Sequence, residues 1–150
     1  MTDARGSEIR TDSFVLPLPG GWVDRTVVTL TGPEVDGFAA NIVITREVLC
    51  DNLGLGGFSS GWVSKLAEEV PVSELRPVEH LEIGDVRAHV RVVGWAAAGL
   101  RLTQIAALFV TGEIAYAIVG TAPEWAFDEL EARFREAIAG FRLESPVSAL

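Results

Sequence analysis

The sequence predicts an α+β fold, an antiparallel β-sheet of about six to seven strands with two helices packed on one face. Three observations predict it. Apolar and polar residues alternate with period two through most of the chain. Gly, Pro and Asp clusters divide those runs at strand-length intervals. Only two stretches carry a helical pattern, too few for a parallel βαβ design.

Residues 1–12 are polar and read as a flexible leader, 13–144 as a single domain, and 145–150 as a short tail. "TVVTLT" (Thr26–Thr31) and "AANIVITREV" (Ala39–Val48) read as strands separated by the turn-rich "GPEVDG". A first helix is expected from about Ser60 to Glu69, with Ser59 or Ser60 as its cap and Pro71 beyond its end. "ELRPVEHLEI" (Glu74–Ile83) reads as an edge strand, because Pro77 has no N–H to give a ladder. Gly84-Asp85 then turns the chain into "VRAHVRVVGW" (Val86–Trp95).

"LTQIAALFVTGEIAYAIVG" (Leu102–Gly120) is apolar enough to suggest a membrane span. Gln104 and Glu113 interrupt it, and Gly112-Glu113 divides it into two strand-length halves. A spanning helix needs about 20 unbroken apolar residues, so a buried β-hairpin is the better reading. The second helix has the clearest signal. Thr121-Ala-Pro-Glu124 reads as a capping box, and Phe127, Leu130, Phe134, Ala137 and Ile138 form one apolar stripe. Glu129–Arg133 and Glu131–Arg135 are i,i+4 pairs on its wet side, and Gly140 ends it.

Composition narrows the function classes. With 150 residues, 49% apolar and 22% charged, the chain fits one well-packed soluble domain. Its net charge of −9 argues against nucleic acid and against anionic membrane surfaces as partners. Cys50 is the lone cysteine, which leaves no intrachain disulfide and no thiolate metal cluster. The start "MTDARGSEIR" lacks the plan of a signal peptide, so a cytoplasmic location is expected, and no cysteine is placed for lipid anchoring.

No residue set points to catalysis, a metal or a cofactor. "GFSSG" (Gly57–Gly61) matches the nucleophile-elbow pattern around Ser59, but no convincing strand precedes it. A glycine loop followed by a helix cap is the plainer reading; a serine hydrolase is the enzymatic rival. "GLGGFSSG" has Ser59 where the third glycine of a dinucleotide loop belongs. His80 and His89 lie in strand patterns without further ligands for a metal. Gln104 stands alone in an apolar strand, as either a hydrogen-bonded core group or a polar contact on an apolar platform.

The central strands are apolar on both sides. Val86, Ala88, Val90 and Val92 alternate with Arg87, His89, Arg91, Val93 and Trp95; Leu102 to Leu108 is mixed on both parities. A sheet greasy on both faces needs cover on the second, which implies a partner if both helices share the first.

"FVLPLPGGWVDRTVVTL", "ANIVITREVL", "LRLTQIAALFV", "IAYAIVGTAPE" and "FREAIAGFRL" together resemble the DcrB-related family, over about Phe14 to Leu143. That resemblance implies a PsbP-like α/β sandwich. It makes the opening motif a first strand and a tight turn at Pro19-Gly20-Gly21, with Trp22 anchored against the core and Asp24-Arg25 as a charge pair. The L-P-x-G-W-x-D-R-T opening and the I-T-R-E segment are similar to those of Eag chaperones of type VI secretion. The resemblance implies a non-enzymatic chaperone, acting as a homodimer, that shields hydrophobic N-terminal transmembrane helices of effector proteins. Its client surface would comprise Val28, Leu30, Ile42, Ile44, Leu102, Gln104, Ala106 and Leu108 as one sheet face. The alternative is a protein-interaction module of the same fold with a soluble partner.

Overall fold

Residues 8–10, 13–22, 25, 27–49 and 53–143 are described by the computed structural model. Among these described residues, nine strands and two helices follow in the order β1 (Glu8–Arg10), β2 (Val15–Pro17), β3 (Val28–Val35), β4 (Phe38–Val48), α1 (Gly54–Glu69), β5 (Val72–Leu75), β6 (Glu79–Ile83), β7 (Val86–Ala97), β8 (Leu100–Thr111), β9 (Ile114–Pro123) and α2 (Glu124–Ala139). The α+β class and the antiparallel sheet are as the sequence predicts.

Seven strands form the main sheet in the order β3-β4-β9-β8-β7-β5, with β6 also paired to β7. β7, β8 and β9 are long and central, and their small, β-branched and aromatic side chains are buried on both faces. Two-residue connections join β3–β4, β6–β7, β7–β8 and β8–β9. At the last, Gly112 takes φ 60°, which lets a tight turn follow the twist of its strands. The apolar stretch Leu102–Gly120 is therefore a hairpin.

Several boundaries differ from expectation for identifiable reasons. "GPEV" continues β3, accommodated by a register shift between Thr31 and Glu34, and the turn falls at Asp36-Gly37. Glu74–Ile83 is two strands, both edging β7: β6 pairs its first half and β5 its second. Arg76 N–H still donates to Val92 O at 3.0 Å, so the ladder lapses where Pro77 has no donor.

α1 starts at Gly54, six residues earlier than its periodicity suggests, and runs through four glycines. Burial of Phe58 and Ser59 against the sheet overrides their poor helix propensity. The expected capping box at Thr121 does not form, because β9 extends to Pro123 and no side chain caps α2. Thr121 is buried in the sheet instead. Along α2, Phe127, Phe134 and Ile138 are buried, Leu130 is half-buried, and Ala137 is exposed.

The predicted placement of both helices on one face is overturned. Cross-strand partners share a face, so Ile105, Ala107, Phe109, Ile118 and Ala122 belong to one side, where Phe127, Phe134 and Ile138 of α2 pack. Ala106, Leu108, Ala115 and Ala117 belong to the other, beneath Phe58 and Trp62 of α1. Topology explains the division. α1 carries the chain from β4 across the sheet to the far edge at β5, whereas α2 follows β9 and returns over the opposite face. The second face is therefore covered by the chain's own helix.

The N-terminal expectations also change. Glu8–Arg10, assigned to the flexible leader, pairs with Val15–Pro17 in a separate two-stranded sheet, so the opening motif is not a strand of the main sheet. Pro19 to Trp22 does form the tight turn: Trp22 N–H donates to Pro19 O at 3.1 Å with Gly21 at φ 83°. Trp22 does not anchor against the core; it is 71% exposed. Arg25 is exposed, while Asp24 and the tail 145–150 lie outside the described residues.

Candidate binding site

The ladders decide where the eight expected client residues point. Leu30 pairs with Ile42, Ile42 with Gly120 and Gly120 with Ile105; Val28, Ile44, Ile118 and Ala107 form the next row. Val28, Leu30, Ile42 and Ile44 are thus on the α2 side. Leu102, Gln104, Ala106 and Leu108 pair with Pro123, Thr121, Val119 and Ala117 and lie on the α1 side. The eight do not make one face. A one-residue change of pairing exchanges the two faces of a strand, and nothing within β4 or β8 specifies their relative parity.

The α1-side group is largely spent on the core. Ala106 and Leu108 are fully buried. Gln104 Nε2 donates to Thr121 Oγ1 at 3.0 Å, and its Oε1 is buried without a partner among the described residues. The hydrogen-bonded reading of Gln104 fits this geometry.

The α2-side group behaves differently. α2 packs on β8 and β9 and leaves the β3–β4 hairpin uncovered along one flank. Its position is fixed by close approach: a Cβ at Gly120 would stand 2.6 Å from the Phe134 ring, so only glycine admits that ring. On the flank away from β3, Arg135 makes a two-pronged ion pair to Glu79 of β6 at 2.8 and 2.9 Å and bonds Glu131 at 3.0 Å. Arg76 reaches the same Glu131 at 3.3 Å and lies over the Phe127 ring. The Arg135 hydrogen bonds, outweighing burial, hold the Glu79 carboxyl below its usual range and raise the Arg135 guanidinium above its own.

On the other flank an apolar groove of about 470 Å³ opens between the hairpin and the start of α2. Leu30, Phe38, Ile42, Trp125, Leu130 and Phe134 supply its apolar lining, and Glu129 and Arg133 its charged rim. Leu30 is 54% and Trp125 58% exposed, with Val28 beside them on an edge strand that no other strand of the sheet covers. Large apolar side chains grouped in this way are a mark of a binding surface. The sequence signal for Trp125 was available, a Trp at a position outside the apolar stripe of α2, but its meaning depends on where the hairpin lies.

The other singled-out residues are dispersed. Ser59 sits within the second turn of α1, buried, with no hydrogen-bond partner for its hydroxyl among the described residues. That is a helix interior, not the strand-to-helix turn of a nucleophile elbow. His80 and His89 face each other across β6 and β7. Among the described residues no three His, Cys, Asp or Glu side chains group as metal ligands, and no helix is long and apolar enough to cross a membrane.

Comparison with solved structures gives the class. The chain is similar to the crystal structure of PA94 from Pseudomonas aeruginosa, a protein of unknown function, with TM-score 0.78, 14% identity, and coverage of 92% of this chain and 96% of that one. It is also similar to the solution structure of the cyanobacterial PsbP protein CyanoP from Synechocystis, with TM-score 0.56, 11% identity, and coverage of 96% and 91%. This is a PsbP-like fold. No protein-family model and no curated protein matches the sequence.

Proposed function

We propose that this is a non-enzymatic binding protein that receives apolar side chains of a partner helix in the groove between β3–β4 and α2. The observation that carries it is the exposure of Leu30 and Trp125 at the mouth of an apolar groove. A helix presents anchors at i, i+3 or i+4 and i+7, which suits a groove running beside a parallel-lying helix. The partner in this reading is the hydrophobic N-terminal transmembrane segment of a type VI secretion effector, held before export by a homodimer in the cytoplasm. The L-P-x-G-W-x-D-R-T and I-T-R-E resemblance supports that choice, and the net charge of −9 would keep a complex with a greasy client dispersed.

Co-expression with a tagged effector N-terminal segment tests the reading. The wild-type chain should co-purify with the segment, and Leu30→Asp and Trp125→Asp should each lose the complex while keeping the fold. Failure of the wild type to retain any such segment would remove the secretion role. A second reading, an interaction module for a soluble amphipathic helix, is favoured by groove size. About 470 Å³ takes a few side chains, not the whole circumference of a spanning helix. Capture of soluble helices in preference to fully apolar ones selects it.

A further inference from the structure

Away from the groove, on the α1 side of the sheet, the fold gathers positive charge that it does not use. Arg87, His89 and Arg91 are alternate residues of β7, so they share that face at intervals of about 6.6–6.8 Å. His80 lies opposite His89 on β6, with ring centroids 4.6 Å apart and planes at 83°. These are both histidines of the chain and two of its 12 Lys and Arg residues, in a protein of net charge −9.

Three other arginines are matched. Arg76 and Arg135 pair with Glu131 and Glu79, and Arg101 stands 3.7 Å from Glu124. Arg87 and Arg91 have no ion-pair or hydrogen-bond partner among the described residues, and Arg91 Nε is buried without one. A buried N–H donor left without a partner is costly, so it calls for an acceptor.

The surroundings supply few opposing charges. Glu82 of β6 is across from Arg87 and forms no ion pair with it. β8 contributes Ala106, Leu108 and Val110 to this face, all uncharged. α1 packs on β8 and β7 and carries Lys65, Glu68 and Glu69, none bonded to the strip. Burial, then His80, Arg91 and Arg87, hold the His89 imidazole below its ordinary pKa, which marks the local field as positive.

We propose that Arg87, His89, Arg91 and His80 form a binding site for a tetrahedral oxyanion of the phosphate class. Arg87 and Arg91 straddle His89, so their guanidinium forks can converge on one multi-oxygen anion with an imidazole below it. The charge is confined to a single cross-strand patch, a footprint suited to one anionic group and not to an extended acidic peptide. Protonation of His89 adds a positive charge to the site, and by linkage a bound anion raises its pKa. The proposal is independent of the groove and of its partner.

The test follows the imidazole resonances of the intact protein by NMR during titration with inorganic phosphate, at constant ionic strength. Both histidine resonances should shift saturably, and the His89 pKa should be raised in the phosphate-bound protein. Arg87→Gln and Arg91→Gln should each weaken binding about tenfold, and Glu82→Gln, which removes the carboxylate of Arg87's cross-strand partner, should tighten it. Adenosine monophosphate and vesicles containing phosphatidic acid identify the source of the phosphate: tighter binding of the nucleotide assigns a carried phosphoryl group, tighter binding of the vesicles a headgroup, and neither the free ion. No saturable shift with any of the three, an equal shift with chloride, or undiminished binding by both arginine variants with wild-type circular dichroism would overturn the site.

Discussion

The two helices lie on opposite faces of one sheet, and they are held by different means. α2 buries Phe127, Phe134 and Ile138 and is clamped to the β6 edge through Arg135, Glu79, Glu131 and Arg76. α1 has the same length of 16 residues, yet it buries only Phe58 and Ser59 and carries four glycines. The lesson is one of division of labour. The face under α2 is held by both packing and ion pairs, and the groove opens at its margin. The face under α1 is shielded by a helix whose attachment is a narrow contact over alanines.

Breaking α2 should give the largest effect. Phe134→Ala should cost about 3–5 kcal/mol in urea unfolding, because the ring sits on the backbone at Gly120 and the cavity left cannot collapse onto a strand. Phe58→Ala on α1 should cost distinctly less, and equal losses would erase the contrast. Next, Gly120→Ala should destabilise by about 1–3 kcal/mol, since its methyl would meet the same ring.

Smaller changes sharpen the comparison from the α1 side. Gly56 and Gly61 have open space where a methyl would go and no positive φ, so each change to Ala should stabilise by about 0.5–1 kcal/mol. Gly57→Ala should not, because its methyl would stand 2.7 Å from Leu53 Cβ. Amide exchange should show α1 opening more readily than α2, with the gap narrowed in the Gly56→Ala, Gly61→Ala variant.

The smallest effect concerns pH. The folded-state pKa of Glu79 is lowered, so its ion pair stabilises above the unfolded carboxylate pKa and is lost as pH falls through the folded value. Glu79 is 43% exposed, which limits this to about 1 kcal/mol or less after solvent screening. Between neutral pH and about pH 3, Glu79→Gln should lose less stability than the wild type by that amount, as read from urea midpoints.

The strands were legible because period two is a local property. The hairpin at Gly112-Glu113 and the apolar stripe of α2 needed no knowledge of the rest of the chain. The start of α1 was not legible, because glycines at 54, 56 and 57 enter a helix only when Phe58 has a sheet to pack on. Trp22 misled for a related reason: the turn before it is set by Pro19 and Gly21, but whether the indole meets a core depends on where the β1–β2 pair lies. Of the eight expected client residues, Leu30 and Ile42 line the groove, and Val28 and Ile44 form the adjacent row. Leu102, Gln104, Ala106 and Leu108 point the other way.

By itself the sequence determined the α+β class, the antiparallel strands, the hairpins and the acidic character, since each follows from alternation, turn chemistry or charge within a few residues. Tertiary structure alone decided which side each strand's apolar set faces, that each helix takes its own face, and that Leu30 and Trp125 meet at one groove. The reason is that facing depends on register between strands distant in the chain, and a shift of one residue there reverses every side chain while leaving the local pattern unchanged.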